Sequence, residues 1–269
     1  MKFLKFILIA IIFPWNLNAQ TDKEIFDSCI GHFHGKSFNL ADIAAFFINK
    51  PYKAATLEIN PAEELVVNLR EFDCTTLVES CIAIYLTLND SVPNFDSFKK
   101  NLTKVRYRNG IIDGYTSRLH YASEWIKNNE DKNILTDISE KTGGDEIFFQ
   151  LNFMSSHTQL YPQLSSNNEN ITEIKKTETE LNKLAFHYIP KKFFSSSLNK
   201  IHSGDVILFV TSVKGLDISH MGISSKGKKQ LTFIHASQKY KKVVINPESL
   251  YEYCMSNKNN VGIIICRIN

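Results

Sequence analysis

Cysteine is scarce in this chain: five residues among 269, an odd number. A disulfide scaffold would be shorter and far denser in cysteine, so that class is excluded, and at least one thiol stays unpaired within the chain. Glycine (11) and proline (7) are too few for a repeat fibre, and 43% apolar against 22% charged residues excludes disorder. An excess of either charge is missing too. Thirty-one Lys and Arg against 28 Asp and Glu leave a formal +3, scattered without dense basic runs, which argues against nucleic acid as a partner. A chain of this length buries enough core to stand without staples, and length alone allows one large domain or two small ones.

Long apolar runs are also missing, with one exception. Lys2 and Lys5 precede the run Phe6 to Trp15, and Asn16, Leu17, Asn18, Ala19 and Gln20 follow it. This reads as a secretory signal peptide cleaved after Ala19, because its ten or so apolar residues fall short of the roughly twenty a spanning helix needs. Residues 1–19 are therefore expected to be removed and residues 20–269 to act in the periplasm, with no stable membrane insertion. Without Lys2 and Lys5 the formal charge falls from +3 to +1.

The cysteines divide by their surroundings. Cys29, Cys254 and Cys266 sit among apolar residues, as in Gly262-Ile263-Ile264-Ile265-Cys266, where a thiol packs as a small core residue. Cys74 differs. It follows Glu71-Phe72-Asp73 and opens a stretch in which Val78, Cys81, Ile82 and Tyr85 recur at helical spacing. Asp73 is a good N-cap, so Cys74 falls in the first turn, where unpaired N–H groups and the helix dipole favour a thiolate. Cys81 lies two turns further on, about 10 Å away, too far for a disulfide. A nucleophilic Cys74 needs a base from elsewhere.

Among eight histidines, two stand out. The segments Val206 to Val210, Ile218 to Ile223 and Leu231 to Ser237 read as short strands, and Lys226 to Lys229 reads as the connection between the last two. His220 and His235 then lie on adjacent antiparallel strands, at opposed positions if the register allows, so that one can orient the other. Cys74, His220 and His235 satisfy the requirements of a thiol nucleophile, a base and a polar group fixing the base.

These residues carry a resemblance. Glu71 to Glu79 around Cys74, Asp217-Ile218-Ser219-His220-Met221-Gly222-Ile223 and Ile234-His235-Ala236-Ser237 resemble the NlpC-type, papain-like cell-wall cysteine hydrolases. Arg106 to Tyr121 and Asn152 to His157, leading to Tyr161-Pro162, narrow it to the N-acetylmuramoyl-L-alanine amidase-like branch, first catalogued as a domain of unknown function. The resemblance covers nearly all of the chain after residue 19. It implies a single catalytic domain over 20–269 that hydrolyses the amide between N-acetylmuramic acid, in 1,6-anhydro form, and L-alanine of a peptidoglycan stem. It also implies Cys74 as nucleophile, His220 as base and then acid, and His235 as orienting group.

Around that triad the sequence offers further candidates. Asp73 is a cap first and a substrate contact second, since Thr75 and Thr76 replace the small Ser-Gly pair found after the nucleophile in many relatives. Tyr107, Tyr115 and Arg118 suit a ligand with sugar faces and a carboxylate-rich stem, whereas Arg106 and Arg108 flank a turn at Asn109-Gly110. Tyr121 and Trp125, four apart, read as helix packing. His32 and His34 lack the ligands that would complete a metal site, so no metal and no cofactor are expected. His120, His187 and His202 read as surface or structural, and His157 lines the site by family position. Two other readings stay open: a γ-D-glutamyl-diamino-acid endopeptidase, and a non-catalytic wall-binding protein with an inert Cys74.

Helices dominate from Asp22 to Trp125, including Leu40 to Phe47. The polar stretch 165–183 reads as a solvated excursion, with a helix over 178–186, and residues 204–268 hold four or five strands. Helices first and antiparallel strands later predict an α+β fold, and the resemblance implies a papain-like core, a nucleophile helix packed on a small sheet or barrel.

Overall fold

The computed structural model describes residues 20–227 and 230–269; the expected signal peptide lies outside them, as do two residues of the expected 226–229 connection. Helices α1 (Asp22–Phe33), α2 (Leu40–Phe46), α3 (Cys74–Leu88) and α4 (Phe95–Arg106) each begin with a capping box, on Thr21, Asn39, Asp73 and Asn94. Their starts are thus set locally, by a polar side chain placed just ahead of an apolar stripe. Helix α5 (Ala122–Asp131) follows, then α6 (Asn168–Leu181) and α7 (Leu250–Ser256).

The strands are β1 (Leu135–Asp137), β2 (Asp145–Ile147), β3 (Phe186–Pro190), β4 (Val206–Thr211), β5 (Ile218–Lys226), β6 (Leu231–Ser237), β7 (Lys242–Ile245) and β8 (Asn260–Ile268). Among the described residues they form one antiparallel sheet in the order β2-β3-β8-β4-β5-β6-β7, and β1 pairs with the far end of β8. The result is a mixed fold of helices and an antiparallel sheet, with five strands in the C-terminal stretch where four or five were expected. The three short strands upstream leave too little alternation to read from sequence.

The central strands are buried on both faces, which explains their continuous apolar runs. Val206, Leu208, Val210 and Ile264 face the helices α1 to α5, while Ile207, Phe209, Phe233, Ile263 and Ile265 face Leu250 and Cys254 of α7. Burial leaves Cys29, Cys81, Cys254 and Cys266 as core side chains, and all five cysteines are free thiols.

Two expectations need correction. The stretch 165–183 is mostly the helix α6, capped by the Asn167 side chain on the Asn170 N–H and burying Ile174, Glu178 and Leu181. Its apolar stripe is narrow enough to be hidden by polar composition. The helix expected over 178–186 therefore ends at Leu181, and Phe186 begins β3. Residues 47–73 are irregular rather than helical. They run beside β7, with hydrogen bonds Asn49 N to Val243 O at 2.9 Å and Tyr52 N to Lys241 O at 2.9 Å. Phe72 packs edge-on to Phe47 at 5.1 Å between ring centres. This anchoring sets where α3, and hence Cys74, meets the sheet.

Candidate active site

Asp73 caps α3: its Oδ1 accepts from the Thr76 N–H at 2.8 Å and from the Thr76 hydroxyl at 2.9 Å. Both contacts are internal to the helix start, and Asp73 does not line the cavity in front of Cys74. Cys74 itself is half-buried and lies in the wall of a cavity of about 240 Å³. The same cavity is lined by Ser219, His220 and Met221 of β5, by Tyr115, His120 and Tyr161, and by Trp125 of α5.

The sheet opens where the helix arrives. β5 pairs with β4 from Ile218 to Ile223, yet pairs with β6 only from Ile223 onward, so its first residues have one free edge. Cys74 shares its cavity wall with this free edge, Ser219 to Met221.

His220 and His235 meet: Nε2 of His220 stands 2.7 Å from Nδ1 of His235, with the rings nearly perpendicular at 80°. They are not opposed across the strands. Ile223 pairs with Ile234, so the register places His235 nearest Gly222 and makes the contact diagonal. Phe209, Phe233 and Tyr253 surround the pair.

Burial controls the charges. Desolvation and the Asp73 carboxylate push the Cys74 thiol up to about 11, against a smaller downward pull from the Met221 backbone. The thiolate expected from the helix terminus is therefore not the resting form; burial outweighs the dipole. Desolvation and the neighbouring His235 lower His220 to about 3, and desolvation lowers His235 to about 4. Both imidazoles are neutral at pH 7.

The other sequence candidates separate. Tyr115 lines the cavity. Tyr107 does not: it is buried, and its hydroxyl donates to Glu63 Oε1 at 2.7 Å and to the Glu64 carbonyl at 3.1 Å. Arg118 is also buried, ion-paired with Glu58 at 2.9 Å and Glu63 at 3.2 Å and stacked on Tyr115 at 5.0 Å. Tyr107 and Arg118 thus lie outside the cavity wall: carboxylates of the irregular 58–64 segment take the Tyr107 hydroxyl and the Nη1 and Nε of Arg118, whose Nη2 is buried without a partner. Arg106 is no turn flank. It is buried at the end of α4, 2.6 Å from Glu79 of α3, and donates to the Val66 carbonyl.

Several lining residues escaped the sequence. His120 lines the cavity, with Nε2 at 2.9 Å from the Tyr115 carbonyl, and burial lowers it to about 3. His157 is turned instead to the Phe153 carbonyl at 2.9 Å and is not in the cavity wall. Asp217 is buried in the wall and accepts from the Ser123 N–H at 2.7 Å and hydroxyl at 2.8 Å, tying the start of α5 to β5. Trp125, expected as packing, is buried and also lines the cavity, and its indole N–H has no partner. The one available signal for these was their nearness in sequence to the motifs. Among the described residues no group of three His, Cys, Asp or Glu is placed to hold a metal ion, and no helix is long and apolar enough to cross a membrane.

A helix-borne thiol sharing a cavity with one histidine of a hydrogen-bonded pair, set against an antiparallel sheet, makes a hydrolase-like site. A model of N-acetylmuramoyl-L-alanine amidase-like proteins, the AmiA-like family, matches residues 42–263, and the chain belongs to that family. A crystal structure of an N-acetylmuramoyl-L-alanine amidase from Bacteroides uniformis ATCC 8492 is 38% identical, covering 86% of this chain and 97% of that one, with a TM-score of 0.81. A Bacteroides fragilis protein provisionally described as a xylanase is 39% identical over 85% of this chain and 100% of its own, also at 0.81. A Legionella pneumophila protein at 23% identity, covering 92% and 93% of the two chains with a TM-score of 0.66, shares the fold. Among curated proteins no match is found.

Proposed function

We propose that this protein is a cysteine-dependent N-acetylmuramoyl-L-alanine amidase acting on peptidoglycan fragments, with the 1,6-anhydro muropeptide as its preferred substrate. The reading rests on one observation above all: Cys74, at the start of α3, and His220, on β5, line one cavity. A nucleophile at a helix start against an antiparallel sheet supports a papain-like, NlpC-type core for residues 20–269. Export by residues 1–19 would bring the enzyme to its substrate in the periplasm.

At rest the thiol and the imidazole are both neutral. As the sulfur attacks the lactyl carbonyl, its proton passes to His220, and His235 stabilises the imidazolium that forms. Unpaired N–H groups of the first turn of α3, that of Cys74 among them, face the developing oxyanion. His220 then gives the proton to the departing L-alanine nitrogen, leaving a thioester on Cys74. Water, deprotonated by His220, attacks the thioester; the C–S bond breaks, the sugar acid leaves, and His220 returns the proton to the Cys74 sulfur. A glycosidase reading finds less support, because both carboxylates in the wall are already engaged. Glu58 is ion-paired with Arg118, and Asp217 with the Ser123 N–H and hydroxyl.

Incubation of the purified protein with a 1,6-anhydro disaccharide-peptide, followed by mass spectrometry, tests the reading. The expected products are free disaccharide and intact stem peptide, and Cys74→Ser should lower the rate about 10³-fold or more with the fold retained. A trimmed stem would point to an endopeptidase, and binding without cleavage to a wall-binding protein.

A further inference from the structure

We propose that Asn246 is a positioning residue of this site: its carboxamide oxygen accepts the Nε2 proton of His235 and so fixes which nitrogen of His220 is free to act as base. The inference rests on the cysteine-amidase reading and extends it to a residue outside the triad.

The argument follows the protons. One proton lies between His220 Nε2 and His235 Nδ1, 2.7 Å apart. If His220 is to take the thiol proton on Nδ1, it must carry its own proton on Nε2 and donate it to His235 Nδ1. A neutral His235 then carries its proton on Nε2. In the opposite arrangement His235 Nδ1 donates to His220, whose own proton moves to Nδ1, and His220 can no longer act as base toward the sulfur. The surroundings of His235 Nε2 therefore select between a competent pair and an inert one.

That nitrogen is buried and has no bonded partner, which disfavours a proton there unless an acceptor turns to it. Asn246, directly after β7 and 4% exposed, is built to supply one. Its N–H donates to the Phe233 carbonyl at 2.8 Å, and its carbonyl accepts from the Thr232 hydroxyl at 2.7 Å, fixing the backbone beside β6. Its side-chain Nδ2 donates to the Glu248 carbonyl at 3.0 Å, which holds the amino end away and leaves the oxygen for His235. The Asn246 side chain also pulls the pKa of His235 upward, against the desolvation that lowers it. The titratable groups around His235 are His220 from β5, Tyr253 from α7, and Lys239, Tyr240 and Glu248 from the adjoining loops, all lining a second cavity of about 280 Å³ with Asn246. Of these, the Tyr253 hydroxyl is the competing acceptor.

The test compares Asn246→Ala, Asn246→Asp and Tyr253→Phe by muropeptide kinetics across pH and by ¹⁵N NMR of the imidazoles without substrate. Asn246→Ala should lower kcat about 10- to 100-fold with little change in KM, and shift the His235 signal from the Nε2–H to the Nδ1–H tautomer. Asn246→Asp places a carboxylate beside His235, so the acid limb of kcat/KM should move to higher pH. An unchanged tautomer and acid limb in both variants would overturn the proposal, as would a shift produced by Tyr253→Phe and not by Asn246→Ala. Should the wild-type protein leave muropeptides uncut, the amidase reading fails, while the tautomer signals still decide the role of Asn246.

Discussion

At the scale of single residues, burial decides the chemistry more than local sequence does. The first turn of α3 offers Cys74 a favourable dipole, but desolvation and Asp73 raise its thiol to about 11. The sign of the pH dependence follows. Alkylation of Cys74 by iodoacetamide should accelerate with pH over a range above that of a free thiol, since the thiolate appears later. The acid limb of activity should move the other way. His220, held near 3 by burial and by His235, stays an unprotonated base well below the 6.5 of an ordinary histidine, so kcat/KM should persist as pH falls through that value. Rate measurements across pH on the wild-type enzyme check both limbs. A flat, low-pH plateau in alkylation would mean an ion pair instead of a neutral one.

Elements bring these residues together by a local failure of regularity. β5 and β6 separate before Ile223, and the histidines bridge the opening diagonally. Gly222 permits it. A side chain there would place its Cβ 2.7 Å from Phe233 Cδ2 and 2.8 Å from the Ile234 carbonyl oxygen. Gly222→Ala should therefore destabilise the fold by about 1–3 kcal/mol as an overpacked site. Because the displaced strand carries His235, kcat should fall further than the loss of folded protein accounts for. Urea unfolding and turnover measured on the same preparation separate the two effects. The start of α3, by contrast, was readable: Asp73 before Cys74 announces it by residue type alone. So were the apolar runs of β4 and β8.

Across the whole molecule, a buried ion pair joins the Cys74 helix α3 to its neighbour α4. Arg106 and Glu79 are each 2% exposed and 2.6 Å apart, in a setting where neither can find water. Arg106→Leu would leave the Glu79 carboxyl buried alone and should cost about 3–5 kcal/mol, read as a lower Tm and denaturant midpoint. From sequence this arginine passed for a turn flank, because its partner lies 27 residues away. Tyr107 and Arg118 were misread for the same reason: aromatic and cationic residues near a motif look like ligand contacts until distant carboxylates such as Glu58 and Glu63 claim them. What the chain alone determined were features whose causes are local: helix starts, buried strands, and the Cys74, His220 and His235 motifs. Only tertiary structure decided the protonation of the thiol, the diagonal histidine contact and the true lining of the cavity, since each depends on which groups are removed from water together, and segments far apart in the chain set that jointly.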